Sequence, residues 1–417
     1  MTEKMKPSGI AWIGDVPQSW KTKKIKYYME IVNGSTPDSS DFNCWDGPIK
    51  WITPADMDNT GIVSEGERTL TQYGYNSCGT TLLPTGSVVI SSRAPIGKIN
   101  ITGNVLCTNQ GCKSLVGETD NRYLYYLLLA GQEELVRLGR GTTFIELSTF
   151  DLANFGIVLP QETEQCAIAD FLDAQCAKID SVIADIEKQI ETLQKYKKSL
   201  ITETVTKGLD SSVPMKDSGV DWVGKIPAHW SVKRLKYVMN NFDSQRKPIE
   251  AQNRSQDGDV LYDYYGASGA IDKIDDYIFD ETALLIGEDG ANLVLRHLPL
   301  IYIATGKYWV NNHAHILRPK AESDLYFMAH QMEIIDYSLF ITGSAQPKLS
   351  QENLNNVMLV VPPLEEQLEI ATFLNQKVTV IDEIIGNKQK QLDAIRQHKK
   401  SLIYEYVTGK KRVAEVN

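Results

Sequence analysis

The chain has 417 residues, of which 42% are hydrophobic and 23% are charged, a composition typical of a globular protein with two or three domains. It lacks an apolar run near the ~18 residues of a membrane span and an apolar signal segment, so we expect a cytoplasmic protein with no membrane partner. The six cysteines have no CxxC spacing and are expected to be reduced thiols. The net charge of -10 argues at first sight against a nucleic-acid partner and predicts modest DNA affinity for this chain alone.

Two stretches of the chain occur twice. Residues 8–29 return as residues 218–239, 210 positions later, with 10 of 22 positions identical. Residues 147–206 return as 349–408, 202 positions later, and both copies contain the pentapeptide KKSLI. The segments between these copies are similar in size and order but do not align with each other. We therefore predict an internal pseudo-two-fold repeat in which a duplicated frame carries two different inserts.

The first insert has the pattern of a mixed α and β domain. Residues 86–91 (GSVVIS) form a short apolar run between turn residues, which predicts a strand, and residues 113–116 predict another. Residues 123–137 are apolar with a helical period and predict one helix. Together with the first repeated stretch, these elements define a globular domain at 1–160.

The second repeated stretch predicts a long helix in each copy. Its apolar residues alternate by four and three, the heptad seam of a coiled coil. The first seam is interrupted only by Lys197, and the second has Lys399 at the matching position. The seam residues are Leu172, Cys176, Ile179, Ile183, Ile186, Ile190, Leu193 and Leu200 in the first copy and Leu374, Val378, Ile381, Ile385, Lys388, Leu392, Ile395 and Leu402 in the second.

The helical segments are 161–208 and 363–417, each with a proline before its start and a glycine after the helix end. At about 1.5 Å per residue, about 45 residues give a helix roughly 68 Å long. A single apolar stripe would fit a surface helix on a domain core, but two seams in register favour packing of the helices on each other. With a globular segment between them, an antiparallel pair is predicted, with the first tryptophan-rich stretch beside the end of the second helix.

The second insert, within 209–362, has the same mixed character. Strands are predicted at 283–286, 300–304 and 314–317, and a helix at 325–339. The expected fold class is therefore α/β (α+β), with two globular domains joined by two long antiparallel coiled-coil helices.

The motifs of common catalytic sites are missing from the sequence. It has no P-loop, no GxGxxG after a strand, no NPPY or DPPY tetrapeptide, no GxSxG and no Glu-x-Lys pair. His313 and His315 form an HxH pair, which is a weak metal motif and more often structural. We therefore predict a binding protein rather than an enzyme, with no catalytic residue, metal or cofactor of its own.

Polar loops in both inserts are suited to reading a DNA groove. Arginine fits guanine and asparagine or glutamine fits adenine, because each forms two hydrogen bonds with that base edge, whereas lysines such as Lys113 and Lys307 are expected to contact phosphate. The DNA-binding candidates are Lys50, Thr53, Asp56, Arg93, Asn109, Gln110 and Lys113 in the first insert and Tyr265, Ser268, Asn292, Lys307, Asn311, Asn312 and His313 in the second. Any one of them could instead cap a turn or serve as a structural amide.

Several stretches resemble the specificity (S) subunit of Type I restriction-modification systems, and the resemblance covers nearly the whole chain. The most specific are PSGIAWIGDVPQSW at 7–20 with its second copy, WDGPIKWITPADM at 45–57, NQGCKSL at 109–115 and the twin segments ending in KKSLI. The elements before each long helix, 141–148 and 343–350, are also similar to that family.

The resemblance implies that the inserts are target recognition domains and that the helices are the spacer between them. It further implies a non-catalytic subunit that reads an asymmetric, bipartite site in double-stranded DNA. Two methyltransferase subunits, which bind S-adenosylmethionine themselves, would flip and methylate adenine at N6 in each part of the site. Two restriction subunits, which use ATP and Mg²⁺, would complete the complex.

Two alternatives remain open at this point. A twin-headed coiled-coil adaptor that binds other proteins would account for the acidic charge and the heptads. It would not account for two heads that diverge while their frame does not. An enzyme acting on polynucleotides would need a catalytic cluster that the sequence does not offer.

Overall fold

The computed structural model describes residues 4–58, 61–93, 95–117, 120–141, 145–343 and 346–413. The chain divides into two compact units, the first formed by Met1–Ile186 with Gln391–Asn417 and the second by Glu187–Lys390. Each unit contains one predicted globular domain and a part of both long helices. The predicted elements 141–148 and 343–350 fall partly on residues 142–144 and 344–345, which lie outside the described residues.

A five-stranded sheet forms the centre of the first unit. In spatial order its strands are Glu30–Asn33, Cys112–Val116, Val88–Ser91, Ile99–Thr102 and Ile62–Val63, all antiparallel pairs except the last. Val88–Ser91 is buried along its whole length, as expected for an apolar run with a strand on each side. The predicted strands at 86–91 and 113–116 are confirmed.

The first unit also contains smaller sheets and short helices. Its other strands are Met5–Pro7, Asp15–Pro17, Lys21–Lys24, Trp45–Ile52, Thr69–Leu70, Cys107–Thr108 and Gly156–Leu159. Its short α-helices are Gln72–Asn76, Arg122–Ala130, Gln132–Arg137 and Thr149–Asn154, with 3-10 turns at Ile25–Tyr27, Phe42–Cys44 and Pro54–Asp56.

The apolar stretch at 123–137 forms two helices, so the prediction of a single helix is wrong. The first helix ends at Gly131 and the second begins after it. A Cβ atom at Gly131 would lie 2.9 Å from the Trp12 ring and 3.1 Å from the Phe155 ring. Glycine is required because two distant aromatic rings pack against the chain there, a contact that the helical period does not reveal.

The second unit contains a four-stranded sheet that repeats the order of the first four strands of the five-stranded sheet. Its strands, in space, are Met239–Asn241, Ala314–Pro319, Ala283–Gly287 and Ile301–Ala304, all antiparallel. Lys113 faces Ile90 in the first unit, and His315, 202 residues after Lys113, faces Ile286 in the second. The inserts that do not align in sequence therefore share a topology, and the pseudo-two-fold repeat extends into them.

The remaining elements of the second unit include another four-stranded sheet. Its strands are Gly269–Ile274, Tyr262–Gly266, Lys307–Val310 and Phe279–Asp280. The unit also has strands Met215–Asp217, Lys225–Pro227, Ser231–Arg234, Ile341–Thr342, Lys348–Leu349 and Met358–Val361. Its short helices are Leu235–Val238, Asn292–Leu295, Leu325–Ile334 and Gln351–Asn355, with 3-10 turns at Asp243–Gln245, Ala251–Asn253 and Ser338–Phe340.

The three strands predicted for the second insert are confirmed, at 283–287, 301–304 and 314–319. The helix predicted at 325–339 ends earlier, at Ile334, because the next residue, Ile335, adopts an extended conformation.

Two long helices, Glu162–Lys207 and Leu364–Val407, have residues in both units. Each is followed by a glycine with positive φ, Gly208 at 76° and Gly409 at 71°, the conformation that ends a helix most readily. Every residue of the two predicted seams is buried or half-buried. The apolar residue Val182, which lies off the seam, is exposed.

The two helices are antiparallel within each unit. In the first unit, the rings of Phe171 and Tyr406 have centroids 4.4 Å apart, and Asp180 pairs with Lys399. Residue numbers therefore rise along one helix as they fall along the other. The corresponding pairs in the second unit are Gln189 with Lys388 and Lys197 with Asp382. The predicted antiparallel coiled-coil pair is confirmed.

The lysine that interrupts each seam pairs with an aspartate of the other helix. Lys197 Nζ lies 2.6 Å from Asp382 Oδ2, and Lys399 Nζ lies 2.6 Å from Asp180 Oδ1. The two pairs are copies of each other, since both members shift by 202 residues, from 197 to 399 and from 180 to 382. A charged residue in an apolar seam specifies register, because it loses its partner when the helices slide.

A repeated tryptophan–glutamate hydrogen bond attaches the start of each long helix to its domain. Trp20 Nε1 donates to Glu164 Oε2 at 3.3 Å, and Trp230 Nε1 donates to Glu366 Oε2 at 2.7 Å. Both indole rings are buried. The repeated tryptophan therefore joins the first turn of the repeated helix to the domain, and the same joint occurs in both units.

The end of the second long helix returns to the first repeated stretch, as predicted. The Tyr404 hydroxyl donates to the Trp12 carbonyl at 3.1 Å. A Cβ atom at Gly409 would lie 2.3 Å from Pro17 Cδ, so the chain approaches this closely only because residue 409 is glycine.

All six cysteines are free thiols, as predicted. Burial raises the pKa of Cys107 to about 11 and that of Cys112 to about 12, which makes both poor nucleophiles. Among the described helices, none combines the length and apolar character needed to cross a bilayer.

We expect Lys197→Asp to destabilise the second unit, because it places two carboxylates side by side in the seam. The expected loss is about 1 kcal/mol, and adding Asp382→Lys should restore most of it by reversing the pair. Thermal unfolding followed by circular dichroism measures both effects. Lys188→Asp, which changes an exposed lysine of the same helix, is the matched control. A double variant no more stable than the single variant would contradict the role of this pair in register.

Candidate nucleic-acid interface

Polar side chains meet at the ends of the central strands of the first unit. Asn33 ends its strand, Lys113 stands opposite it, and Arg93 follows Val88–Ser91. The Glu146 carboxylate joins them, 3.2 Å from Arg93 Nε and 3.7 Å from Lys113 Nζ. Lys113 Nζ also donates to Asn33 Oδ1 at 3.3 Å. Asn33, Arg93, Lys113 and Glu146 are termed the first cluster.

The two cations of the first cluster differ in exposure. The side chain of Arg93 is 47% exposed, whereas that of Lys113 is 7% exposed. Burial lowers the pKa of Lys113, and the charge of Glu146 opposes that shift. Lys113 therefore serves as an internal partner of Glu146, which corrects the expectation that it contacts phosphate. Arg93 is the cation that this cluster presents to solvent.

The second unit has a cluster at equivalent positions with different chemistry. Asp243 stands 210 residues after Asn33, and His315 stands 202 residues after Lys113. His315 Nδ1 lies 2.5 Å from Asp243 Oδ2. Asp243, Arg246, Glu288, His315 and Lys348 are termed the second cluster, in which Arg246 and Lys348 both pair with Glu288.

One isolated β-bridge occurs in both units, and the charges of its two residues are reversed between the units. Arg93 bridges Glu146 in the first unit, and Asp289 bridges Lys348 in the second. Glu146 and Lys348 are 202 residues apart. His313 Nδ1 lies 2.7 Å from Asp289 Oδ2. The position that offers arginine donors in the first unit thus offers an aspartate–histidine pair in the second.

The second cluster brings together three potential metal ligands, but its hydrogen bonds argue against a metal. Ligand atoms of Asp243, Glu288 and His315 lie within 4.8 Å of one another. His315 Nδ1 faces a carboxylate, and its Nε2 lies 2.8 Å from the Leu349 carbonyl. Both ring nitrogens therefore already face oxygen atoms of the protein. The guanidinium of Arg246 already supplies positive charge to the carboxylates.

The carboxylates of the second cluster are stabilised in their ionised form. Burial by itself raises the pKa of Asp243, but the hydrogen bond and charge of His315 and the backbone N–H of Ile316 lower it below the ordinary 3.8. The pKa of Glu288 is likewise lowered, since Arg246 and His315 outweigh burial. The cluster is a balanced network of paired charges.

Three other candidates of the first unit hold local structure. Thr53 and Asp56 form a reciprocal capping box, in which each side chain bonds to the backbone of the other end of the turn. Lys50 Nζ lies 3.7 Å from Glu65 Oε2.

Residues 34–37 and the NQGCKSL stretch at 109–115 meet in the first unit. Gln110 accepts a hydrogen bond from the Thr36 hydroxyl, and Asn109 Oδ1 accepts one from its own loop, from the Gly111 N–H at 2.9 Å. A Cβ atom at Gly34 would lie 2.0 Å from the Asn109 carbonyl oxygen. Two polar segments that are distant in sequence are thus adjacent in space, although the Asn109 side chain is used internally.

Two asparagines of the second unit are structural rather than available for contact. Asn292 Oδ1 accepts from the Leu298 N–H at 2.9 Å and its Nδ2 donates to the Leu298 carbonyl at 3.0 Å. Asn311 is buried and accepts from the His313 N–H at 2.8 Å. These amides close turns, which corrects the expectation that they read bases.

The other candidates of the second unit are at least partly accessible. Lys307 is exposed, with its Nζ 4.4 Å from the ring centroid of Tyr277, a cation–π contact. Ser268 and Asn312 are exposed, and Tyr265 is half-buried.

Sequence reasoning missed Asn33 and Glu146 of the first cluster and Asp243, Arg246, Glu288 and Lys348 of the second. A signal for four of them was present. Asn33 lies four residues after the first repeated stretch, and Glu146 lies one residue before the second. Applying the offsets of 210 and 202 to these flanking residues leads to Asp243 and Lys348.

Comparison with known proteins reproduces the repeat. Residues 17–192 and 227–394 match the family model of the Type I restriction modification DNA specificity domain. The starts of the two matches differ by 210 and their ends by 202, which are the offsets of the repeat. The chain belongs to this family.

Relatives from the specificity-subunit family cover most of the chain. The Type I restriction enzyme MjaIX specificity subunit of Methanocaldococcus jannaschii is 27% identical over 433 residues, covering 97% of this chain and 96% of that one. The EcoDI specificity subunit of Escherichia coli is 20% identical, covering 95% and 89%. A chain solved in work on the assembly and conformational transition of the type I R-M system has a TM-score of 0.69 at 14% identity, over 95% of this chain and 99% of that one, which supports the fold.

We expect the second unit to lose stability in acid through Asp243. Because its folded pKa is depressed, its contribution is fully present above the ordinary pKa of 3.8 and is lost as pH falls through the lower folded value. Asp243→Asn should therefore reduce the free energy of unfolding at pH 7 and flatten its dependence on pH below about 4. Urea unfolding at several pH values measures this, with the exposed Asp259→Asn as control. Equal pH slopes in wild type and Asp243→Asn would contradict the assignment.

Proposed function

We propose that the chain is the specificity subunit of a Type I restriction-modification complex and reads an asymmetric, bipartite site in double-stranded DNA. The first recognition domain, at 1–160, reads one part, and the second, at 209–362, reads the other. The chain itself catalyses nothing, and it acts in the cytoplasm, where its DNA lies.

One observation carries this proposal. Two sheets with one strand order present chemically different groups at equivalent positions, as in the reversed bridges Arg93–Glu146 and Asp289–Lys348. A duplicated frame with unlike polar surfaces suits a protein that reads two unlike sequences, because side chains of different hydrogen-bonding type select different base edges. An adaptor for two copies of one protein would gain nothing from this divergence.

The proposed complex assigns the chemistry to partners. Two methyltransferase subunits would bind S-adenosylmethionine and methylate adenine N6, and two restriction subunits would use ATP and Mg²⁺ to cleave DNA. The helices Glu162–Lys207 and Leu364–Val407 would set the distance between the two parts of the site. The paired lysines and aspartates support this role, since they specify one register of the helices within each unit.

We expect this chain, expressed with its cognate methyltransferase subunit, to direct N6-methyladenine to a single motif made of two different short parts and a fixed gap. Single-molecule sequencing of host DNA maps the modified adenines. The methyltransferase expressed without this chain is the control and should leave that motif unmodified. Methylation that does not depend on this chain, or a chain that binds only the proteins, would favour the adaptor.

We expect Arg93→Ala to relax one position of one half-site, because Arg93 is the exposed cation of the first cluster. Discrimination there should fall by ~1–3 kcal/mol while the other half-site is unchanged. The fold should persist, since Glu146 keeps Lys113 as partner. Arg140→Ala, which removes a 78% exposed arginine of the same unit, is the matched control. Mapped methylation that weakens equally at both half-sites would rule out this assignment.

A further inference from the structure

A cationic surface occurs at the same place in both units, within the first repeated stretch. Lys24, Lys26 and Tyr27 are exposed in the first unit. Arg234, Lys236 and Tyr237, each 210 residues later, are exposed in the second. Each group of three, with the asparagine that it contacts, Asn154 or Asn356, is termed a basic patch.

Three of the four cations of these patches, Lys24, Lys26 and Arg234, contact amides. Asn154 Oδ1 accepts hydrogen bonds from Lys26 Nζ at 2.9 Å and from Lys24 Nζ at 3.3 Å. In the second unit Asn356 Oδ1 accepts from Arg234 Nη1 at 3.4 Å, and Asn356 is 202 residues after Asn154. An amide orients a cation without neutralising it, so both patches keep their positive charge in a chain whose net charge is -10.

Each patch also presents an aromatic ring beside its cations. Lys26 Nζ lies 5.2 Å from the ring centroid of Tyr27, and Lys236 Nζ lies 5.4 Å from that of Tyr237. The rings are 68% and 61% exposed. A buried role in the domain core is therefore excluded for both tyrosines, although neighbouring Ile25 and Leu235 are buried.

A short helix connects each patch to the candidate base-reading cluster of its unit. In the first unit Thr149–Asn154 begins at Thr149, whose hydroxyl donates to Asn33 Oδ1 of the first cluster at 3.0 Å. It ends at Asn154 of the patch. Five steps of about 1.5 Å place the patch about 8 Å along the helix from that cluster.

The second unit repeats this connection. Gln351 starts the equivalent helix and donates to Asn241 Oδ1 at 2.7 Å. Asn241 Oδ1 also accepts from the backbone N–H of Asp243, in the second cluster, at 2.9 Å. The helix leads to Asn356 of the patch.

We propose that the two basic patches bind backbone phosphates of the DNA duplex beside each half-site, independently of base sequence. This inference rests on the proposed function and deepens it. The clusters differ between the units, as base readers must, whereas the patches are the same, as groups that meet the same sugar-phosphate backbone should be. Their charge, and their distance of one short helix from the clusters, favour DNA over a protein partner.

The test measures the salt dependence of DNA affinity for the complex of full chain and methyltransferase. Two duplexes are compared, one with the mapped site and one of unrelated sequence. Neutralising one patch, with Lys24→Gln and Lys26→Gln or with Arg234→Gln and Lys236→Gln, should weaken binding to both duplexes. Two lost phosphate contacts should reduce the slope of log K against log salt by about 1.8. The ratio between the two affinities should stay unchanged.

Two matched variants control for charge and for folding. Lys178→Gln with Lys390→Gln removes two exposed lysines of the long helices and should leave the slope nearly unchanged. Lys24→Arg with Lys26→Arg keeps the charge and should keep the slope.

An unchanged slope in the patch variants overturns the proposal. A normal slope with weaker assembly of the methyltransferase would identify the patches as a protein-docking surface and overturns it as well. A wild-type complex that binds both duplexes equally tightly would instead count against the proposed specificity function, whatever the slope.

Discussion

The pairing of a seam lysine with an aspartate of the opposite helix is the constraint on which the rest of the architecture depends. An uninterrupted apolar seam permits more than one register of the two helices, because a shift by one heptad places apolar residues against apolar residues again. Lys197 and Lys399 remove that freedom, since each has its aspartate at one register only. The joints Trp20–Glu164 and Trp230–Glu366 then attach each domain to a helix start whose position along the partner helix is already fixed.

The two domains diverge by exchanging whole networks rather than single residues. Asn33 and Asp243 occupy equivalent positions, and so do Lys113 and His315. The buried Lys113 contacts a neutral amide and a glutamate. His315 instead lies among two ionised acids and an arginine. Replacing one member alone would leave a buried charge unpaired, which costs several kcal/mol. Interior chemistry therefore changes as a set, and the residues at the equivalent bridges, Arg93 and Asp289, differ as well.

The parts of the fold that the sequence predicts well are those decided by local periodicity. Heptads, flanking prolines and terminal glycines define both long helices, and fully apolar runs such as 88–91 define central strands. Gly131, between two helices, packs against rings that are distant in sequence, and no period reports that contact. Residue type is also ambiguous at the candidate site. An asparagine in a polar loop can bind an adenine edge or close a turn. For Asn292, only the hydrogen bonds to the Leu298 backbone show that it closes a turn.

The acidic net charge is compatible with binding to DNA once the positions of the charges are considered. Electrostatic attraction to DNA depends on local cations, because charges farther apart than about 8–10 Å are largely screened at physiological salt. Acidic residues line the exposed faces of the long helices, such as Glu187 and Glu191. Lys24 and Lys26 instead donate hydrogen bonds to one amide, that of Asn154. Arg234 donates to the equivalent amide, that of Asn356. Under the proposed function, stable binding would need the right duplex and the added phosphate contacts of partner subunits. An acidic frame with two small cationic surfaces would then favour assembly before tight DNA binding.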